Sequence, residues 1–345
     1  MKNWKSLLAT ISTVSMVAFA TGASAAELNI YAWAGELPQE IVDDFSKETG
    51  ITVTFDTYDS NETMMAKLSA GAGGYDLIEP SQYTVQVLVK QGLILELDHA
   101  KIPNLSNLGA PFKNVSFDPG QKHSVPYVWG TTGLAYNEDC VKTPPTSWKV
   151  LWDPQYEGRI YMLDNMLAAY IAGLQVNGFH AGSTNPAEIE KATQSLIEQK
   201  KVLGGYNSTN FGDLVASGEA CLVQGWNGSI AQVMATNPKV KYVIPDEGGS
   251  MWIDGLAIPK AAKNVEEAYK FIDYIMRPEV AAKAANLSKS ATVIDKAMPL
   301  LPKEVSGNTA IYPPQDKLMK ADFILDVGDA TKLYQDGWTK VKTAQ

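Results

Sequence analysis

Two hydrophobic periods alternate along this chain. Leu28-Asn29-Ile30-Tyr31-Ala32-Trp33 has the composition of a strand, and Ile51-Thr52-Val53-Thr54-Phe55 alternates β-branched and polar positions with a period of two. Between them, Pro38 opens a helix that places Ile41, Val42 and Phe45 on one face, and Gly50 stops it. Asp59 and Glu62 read as an N-cap and its reciprocal partner for a helix through Met64, Met65 and Leu68. Tyr75–Glu79 is a predicted third strand and Gln82–Lys90 a third helix. The same beat returns with strand Arg159–Leu163, helix Pro186–Lys200, helix Phe211–Ala216 and strand Ala220–Val223. A last βα segment from Leu256 buries Ala268, Phe271, Ile272 and Ile275. Strands that alternate with helices predict parallel sheets flanked by helices, here in two blocks.

Two extended stretches, His123–Asn137 and Gly248–Pro259, are positioned to cross between the blocks. The expected fold is therefore α/β and two-lobed. Residues 26–130 with 256–300 are grouped as one lobe, and 131–255 with 301–345 as the other. Such an arrangement places a cleft at the strand ends, where open α/β sheets bind ligands.

The first 25 residues change the picture of where the protein works. Lys2 and Lys5 precede a mostly apolar stretch from Leu7 to Ala20, and Ala23-Ser24-Ala25 offers a small-residue cleavage site. This is the pattern of a secretory signal. Its removal takes the formal charge of −9 to −11. So acidic a chain argues against a nucleic-acid partner and favours the approach of cations. Export permits a disulfide between Cys140 and Cys221, although two small buried hydrophobes would account for them equally well.

Catalytic signatures do not emerge. There is no G-x-S-x-G elbow and no phosphate-binding loop, and His99, His123 and His180 lack zinc-helix spacing. Gly71-Ala72-Gly73-Gly74 reads as a helix C-terminal turn. No catalytic residue, cofactor or metal is expected. What stands out is aromatic rings beside Gly or Pro at predicted strand ends: Trp33, Tyr83, Trp226 and Trp252. Ring faces attract cations, and Asp254 shares a side of an extended segment with Trp252.

With these residues in view, the chain resembles the periplasmic spermidine/putrescine-binding proteins of ABC importers, from Glu27 to Lys342. The resemblance rests on Ile30-Tyr31-Ala32-Trp33, Asp59-Ser60-Asn61-Glu62-Thr63 and Tyr75-Asp76-Leu77 with Pro80-Ser81. It continues through Val125-Pro126-Tyr127-Val128-Trp129-Gly130, Gly225-Trp226-Asn227-Gly228-Ser229, Trp252 through Pro259, and Arg277-Pro278-Glu279-Val280. It implies a two-lobed venus-flytrap receptor without catalysis, monomeric, periplasmic, and working with an inner-membrane permease. It also implies that Trp33, Ser81, Tyr83, Ser208, Trp226, Trp252 and Asp254 contact a cationic organic ligand.

Other positions depart from the family pattern. Gly35 stands where an acid is usual, with Glu36 one place later; Asn165 and Ala168 replace two carboxylates. Ser290 replaces a tyrosine and Ile324 a glutamine. Each buried ammonium needs its own acceptor. The expectation is a small organic cation, putrescine or spermidine by family default, or a mono-amine such as γ-aminobutyrate or a quaternary ammonium compound. Asn165 stays in the expected contact set, and Glu36 or Asp164 is the expected partner of any second amine.

Overall fold

The computed structural model describes residues 26–70 and 74–344, so the expected signal segment and most of the Gly71–Gly74 turn lie outside the described residues. β1 (Glu27–Trp33), α1 (Gln39–Thr49), β2 (Thr52–Tyr58), α2 (Asn61–Ser69), β3 (Leu77–Ile78) and α3 (Gln82–Lys90) follow the expected order. Gly50 caps α1 with φ 74°, a left-handed conformation that glycine adopts without a Cβ clash. The cap of α2 lies one residue later than the sequence predicted. Ser60, not Asp59, accepts from the Thr63 N–H, because Ser60 is the residue with extended backbone there.

β4 (Val125–Asn137), β5 (Ile160–Met162), α4 (Met166–Gln175), α5 (Pro186–Gln199), β6 (Leu203–Tyr206) and α6 (Phe211–Ser217) come next. β7 (Leu222–Trp226), α7 (Asn227–Thr236), β8 (Val240–Val243), β9 (Ser250–Leu256), α8 (Val265–Ile275) and α9 (Pro278–Ser288) then follow. The chain ends through β10 (Ala291–Thr292), the short helices α10 (Lys303–Ser306) and α11 (Gln315–Leu318), β11 (Asp322–Phe323) and α12 (Thr331–Thr343). α4 escaped the periodicity reading for a physical reason. Leu167 through Gln175 are all buried, so the helix has no polar face to set a 3.6-residue rhythm.

β1 lies between β2 and β3 in a parallel sheet, extended by a bridge from Ile78 to Ala257. The larger sheet has the order β11-β9-β4-β7-β5-β6, with β8 and β10 also paired to β4. The two stretches expected to cross are β4 and β9. They pair antiparallel to each other, from Val125 opposite Leu256 to Thr132 opposite Ser250.

Buried side chains form two clusters. One holds Leu28, Ile30, Phe45, Ile78, Val125, Leu256, Phe271 and Ile272; the other holds Leu134, Trp148, Tyr170, Leu196, Leu222, Val223 and Tyr334. β4 runs from the first cluster at Val128 to the second at Leu134. Residues 301–345 were grouped with the second lobe. Leu301, Val305 and Ile311 instead pack in the first cluster, and Ile324, Val327, Ala330, Tyr334 and Val341 join the second. In the second cluster Cys140 and Cys221 are joined in a disulfide, Cα atoms 5.8 Å apart, beside the Asn137 N–H that donates to the Cys221 carbonyl.

Candidate functional site in the cleft between the two cores

Strand ends meet where the two cores face each other. A cavity of about 410 Å³ opens there, and its walls include Trp33, Glu36, Ser81, Tyr83, Asn165, Ser208, Trp226, Trp252 and Asp254. All nine residues singled out in the sequence are brought together. Asp164 is not: it sits on the surface, paired with Lys342 at 2.7 Å.

Local geometry explains each placement. β1 ends at Trp33, whose ring meets Tyr58 at 4.8 Å and Trp226 at 6.0 Å, the latter edge-to-face. Trp226 closes β7, which runs three residues beyond the predicted strand end at Val223, and its ring also meets Phe211 at 5.7 Å. Ser250, Trp252 and Asp254 alternate along β9 and therefore share its cavity face. Gly130 is required by Trp252. A Cβ there would lie 2.3 Å from the indole ring and 2.2 Å from Asn227 Oδ1. Asn227 is a brace instead of a wall residue: its Oδ1 accepts from the Thr131 N–H at 2.9 Å and its Nδ2 donates to the Ala310 carbonyl at 2.8 Å.

On the first-core side, Ser81 immediately precedes α3 and bridges antiparallel to Asp254. Asn61 orients this corner. Its Nδ2 donates to Ser81 Oγ at 3.0 Å and to the Tyr83 hydroxyl at 2.7 Å. Gly35, with φ 88°, makes the turn that brings Glu36 into the cleft, and the Tyr127 hydroxyl holds the Glu36 carbonyl at 3.2 Å.

Glu79 was not singled out as a functional residue. It lies at the end of β3, fully buried, where Oε2 accepts from the Trp33 N–H at 3.1 Å and the Tyr58 hydroxyl donates to its carbonyl. The signal was an acid inside the apolar run Leu77-Ile78-Glu79-Pro80, a position that seldom tolerates charge without a partner.

Glu36, Glu79 and Asp254 thus form a cluster of three carboxyls, and their electrostatics are strained. Burial pushes Asp254 up to about 7, against hydrogen bonds from Ser81 and Glu36 that pull it down. Burial also holds Glu36 well above the usual carboxylate range, with Asp254 and Glu79 adding to the shift. Glu79 rises for the same reasons, burial first and Asp254 second. Glu36 Oε2, Glu79 Oε1 and Asp254 Oδ1 are out of solvent and lack a protein hydrogen-bond partner. Among the described residues, no group of acids, histidines and cysteines is arranged to hold a metal ion. None of the residues lining the cavity is Lys, Arg or His.

The opposite wall has different chemistry. Asn165 caps α4, its Oδ1 accepting from the Ala168 N–H at 3.0 Å, so that oxygen already has a donor. Leu167, Ala168 and Ile171 extend the wall. Ser208 contributes a buried hydroxyl without a protein partner. Ser290 lies against Gly228, where a Cβ would come within 2.8 Å of its Oγ.

Known proteins fit this architecture. Residues 40–313 match the family of bacterial extracellular solute-binding proteins. The chain is 36% identical, over the full length of both, to the spermidine/putrescine-binding periplasmic protein of Salmonella typhimurium. It is 32% identical to a putrescine-binding periplasmic protein of Escherichia coli, across 96% of each chain. A solved structure from Listeria monocytogenes superposes with a TM-score of 0.89 at 33% identity, covering 92% of this chain and 99% of the other. The spermidine/putrescine ABC transporter substrate-binding protein of Streptococcus pneumoniae gives 0.80 at 31% identity, with the same coverage. A two-core α/β chain with its strand ends around an acid- and aromatic-lined cleft, matched over most of its length, belongs to the bacterial extracellular solute-binding proteins.

Proposed function

We propose that this protein is the extracytoplasmic receptor of an ABC importer, capturing a polyamine or related small organic cation and delivering it to an inner-membrane permease. One observation carries this reading: Glu36 and Asp254, buried carboxyls with unsatisfied oxygens, stand beside Trp33, Trp226 and Trp252 in a cleft without a basic side chain, and the buried Glu79 carboxyl acts on both electrostatically. Burying such acids is costly alone and becomes favourable when a desolvated cation arrives. The relatives' printed names, spermidine/putrescine-binding and putrescine-binding, support the same ligand class.

The working cycle follows from the two cores. Trp33, Glu36 and Asp254 lie on the first-core side, whereas Asn165 and Ser208 lie on the second. A ligand touching both walls favours the closed form, because only that form offers it every contact. The signal-like N-terminus supports export to the periplasm, and the two lobes hinge about β4 and β9 in this reading. A sensory receptor would bind ligand in the same way and would differ in its membrane partner.

Titration of tryptophan fluorescence with putrescine, spermidine, agmatine, γ-aminobutyrate and betaine tests the reading. A saturable change with at least one amine is the expected result. Absence of any response, repeated by calorimetry, would overturn it.

A further inference from the structure

The cavity is electrically lopsided. β9 serves as a ruler, since Ser250, Trp252 and Asp254 line the cavity on one strand face. Four residues at about 3.3 Å each put Asp254 and Ser250 roughly 13 Å apart. All three buried carboxyls crowd the Asp254 end, within direct electrostatic reach of one another. At the Ser250 end the register brings Thr132 alongside, and Gln224 Nε2 ties β7 to the Ala168 carbonyl, so that Leu167, Ala168 and Ile171 complete that wall. Glu36 and Asp254 line the cavity at the Asp254 end, and among the described residues the other acids lining it, Asp59 and Asp213, are exposed at its rim.

Resting on the receptor reading above, we infer that the ligand is a linear amine with a single primary ammonium, seated against Glu36 and Asp254 with the buried Glu79 adding its field, and that the ligand's opposite end is uncharged. Two independent features support this class. The acid end offers buried acceptor oxygens without donors, which suits an ammonium that carries N–H groups and leaves a quaternary nitrogen unable to satisfy them. The far end offers apolar side chains and hydroxyls, where a second ammonium would be desolvated without a counter-charge. A rim carboxylate is a weak substitute, because solvent screens the pair.

Calorimetry on the full mature protein with N-acetylputrescine, putrescine, spermidine and choline tests the inference. N-acetylputrescine keeps one ammonium and replaces the other with a neutral amide, so it is expected to bind at least tenfold more tightly than putrescine. Choline is expected to bind more weakly than N-acetylputrescine. In Ala168→Glu, whose new acid sits in the first turn of α4 where a carboxylate is tolerated, putrescine is expected to gain at least tenfold. Wild-type protein that prefers putrescine or spermidine to N-acetylputrescine would overturn the single-charge inference while leaving the amine receptor intact. Tighter choline binding would overturn the primary-ammonium part. Failure of every amine would remove the receptor reading itself, and the inference with it.

Discussion

The two walls of the cleft are built from the same kind of element, strand ends and helix beginnings, yet they carry opposite chemistry. Around Asp254 the first-core side gathers carboxyls whose burial raises them above their ordinary range. Around Asn165 the second-core side is apolar or neutral apart from the exposed rim acid Asp213, and the Asn165 amide oxygen caps a helix. The comparison teaches that charge recognition and closure are separable tasks. In the proposed function, one wall selects the cation and the other supplies surface that rewards closing.

The largest effect should come from removing the acid that anchors the selective wall. Asp254→Asn is expected to weaken a cationic ligand by roughly 30-fold to several thousand-fold, the range for truncating one partner of a buried charge pair, as read by calorimetry. Retained affinity would break the comparison, because the first wall would then not be the selective one. The same variant should stabilise the unliganded protein. Asp254 titrates near 7 when folded and in the ordinary carboxylate range when unfolded, so its folded form holds an extra proton between those values. Stability is thus fully present at low pH and falls as pH rises through about 7. Thermal melts should show Asp254→Asn gaining over wild type at pH 8 and matching it near pH 4.

Next in size is Trp226→Ala, which removes the ring that meets Trp33 across the cleft. It is expected to cost about ten- to a hundredfold in affinity, by the scale of buried aromatic truncations, with a smaller change in the unliganded melting temperature. A pH series sharpens the electrostatic half of the comparison. Because protonation of Asp254 neutralises the site, affinity should fall as pH drops below about 7, by up to about tenfold per unit for each proton displaced. A flat profile from pH 8 to 5 would contradict the assignment.

The smallest effect on binding is expected from the paired Cys140→Ser and Cys221→Ser replacements. Both residues lie in the second core and neither lines the cavity. Opening a loop with a sequence separation of 81 should lower stability by about 2–4 kcal/mol while leaving affinity unchanged. An affinity loss comparable to that of Trp226→Ala would show that the second wall does more than provide surface.

Much of this site was legible before any coordinates. Trp33, Tyr83, Trp226 and Trp252 were visible as large rings beside turn-forming residues, and Asp254 by its two-residue spacing from Trp252. Glu36 was read as a partner for a second amine; the Gly35 turn places it beside Asp254 instead, at the same end. Glu79 carries only a weak local signal, an acid in an apolar run, because the last residue of a strand can equally face solvent; its burial is set by the fold.

The amino-acid order by itself determined the alternating elements, the pair of extended crossings and the inventory of rings and acids, since hydrophobic period, turn residues and side-chain type are local properties. Only the tertiary structure decided that three carboxyls from β9, from the end of β3 and from the turn after β1 would converge at one end of the cleft, two of them on its wall, and that Leu301, Val305 and Ile311 would pack with the first core. Desolvation and mutual repulsion depend on distances across the fold, and those are set when separate strands dock.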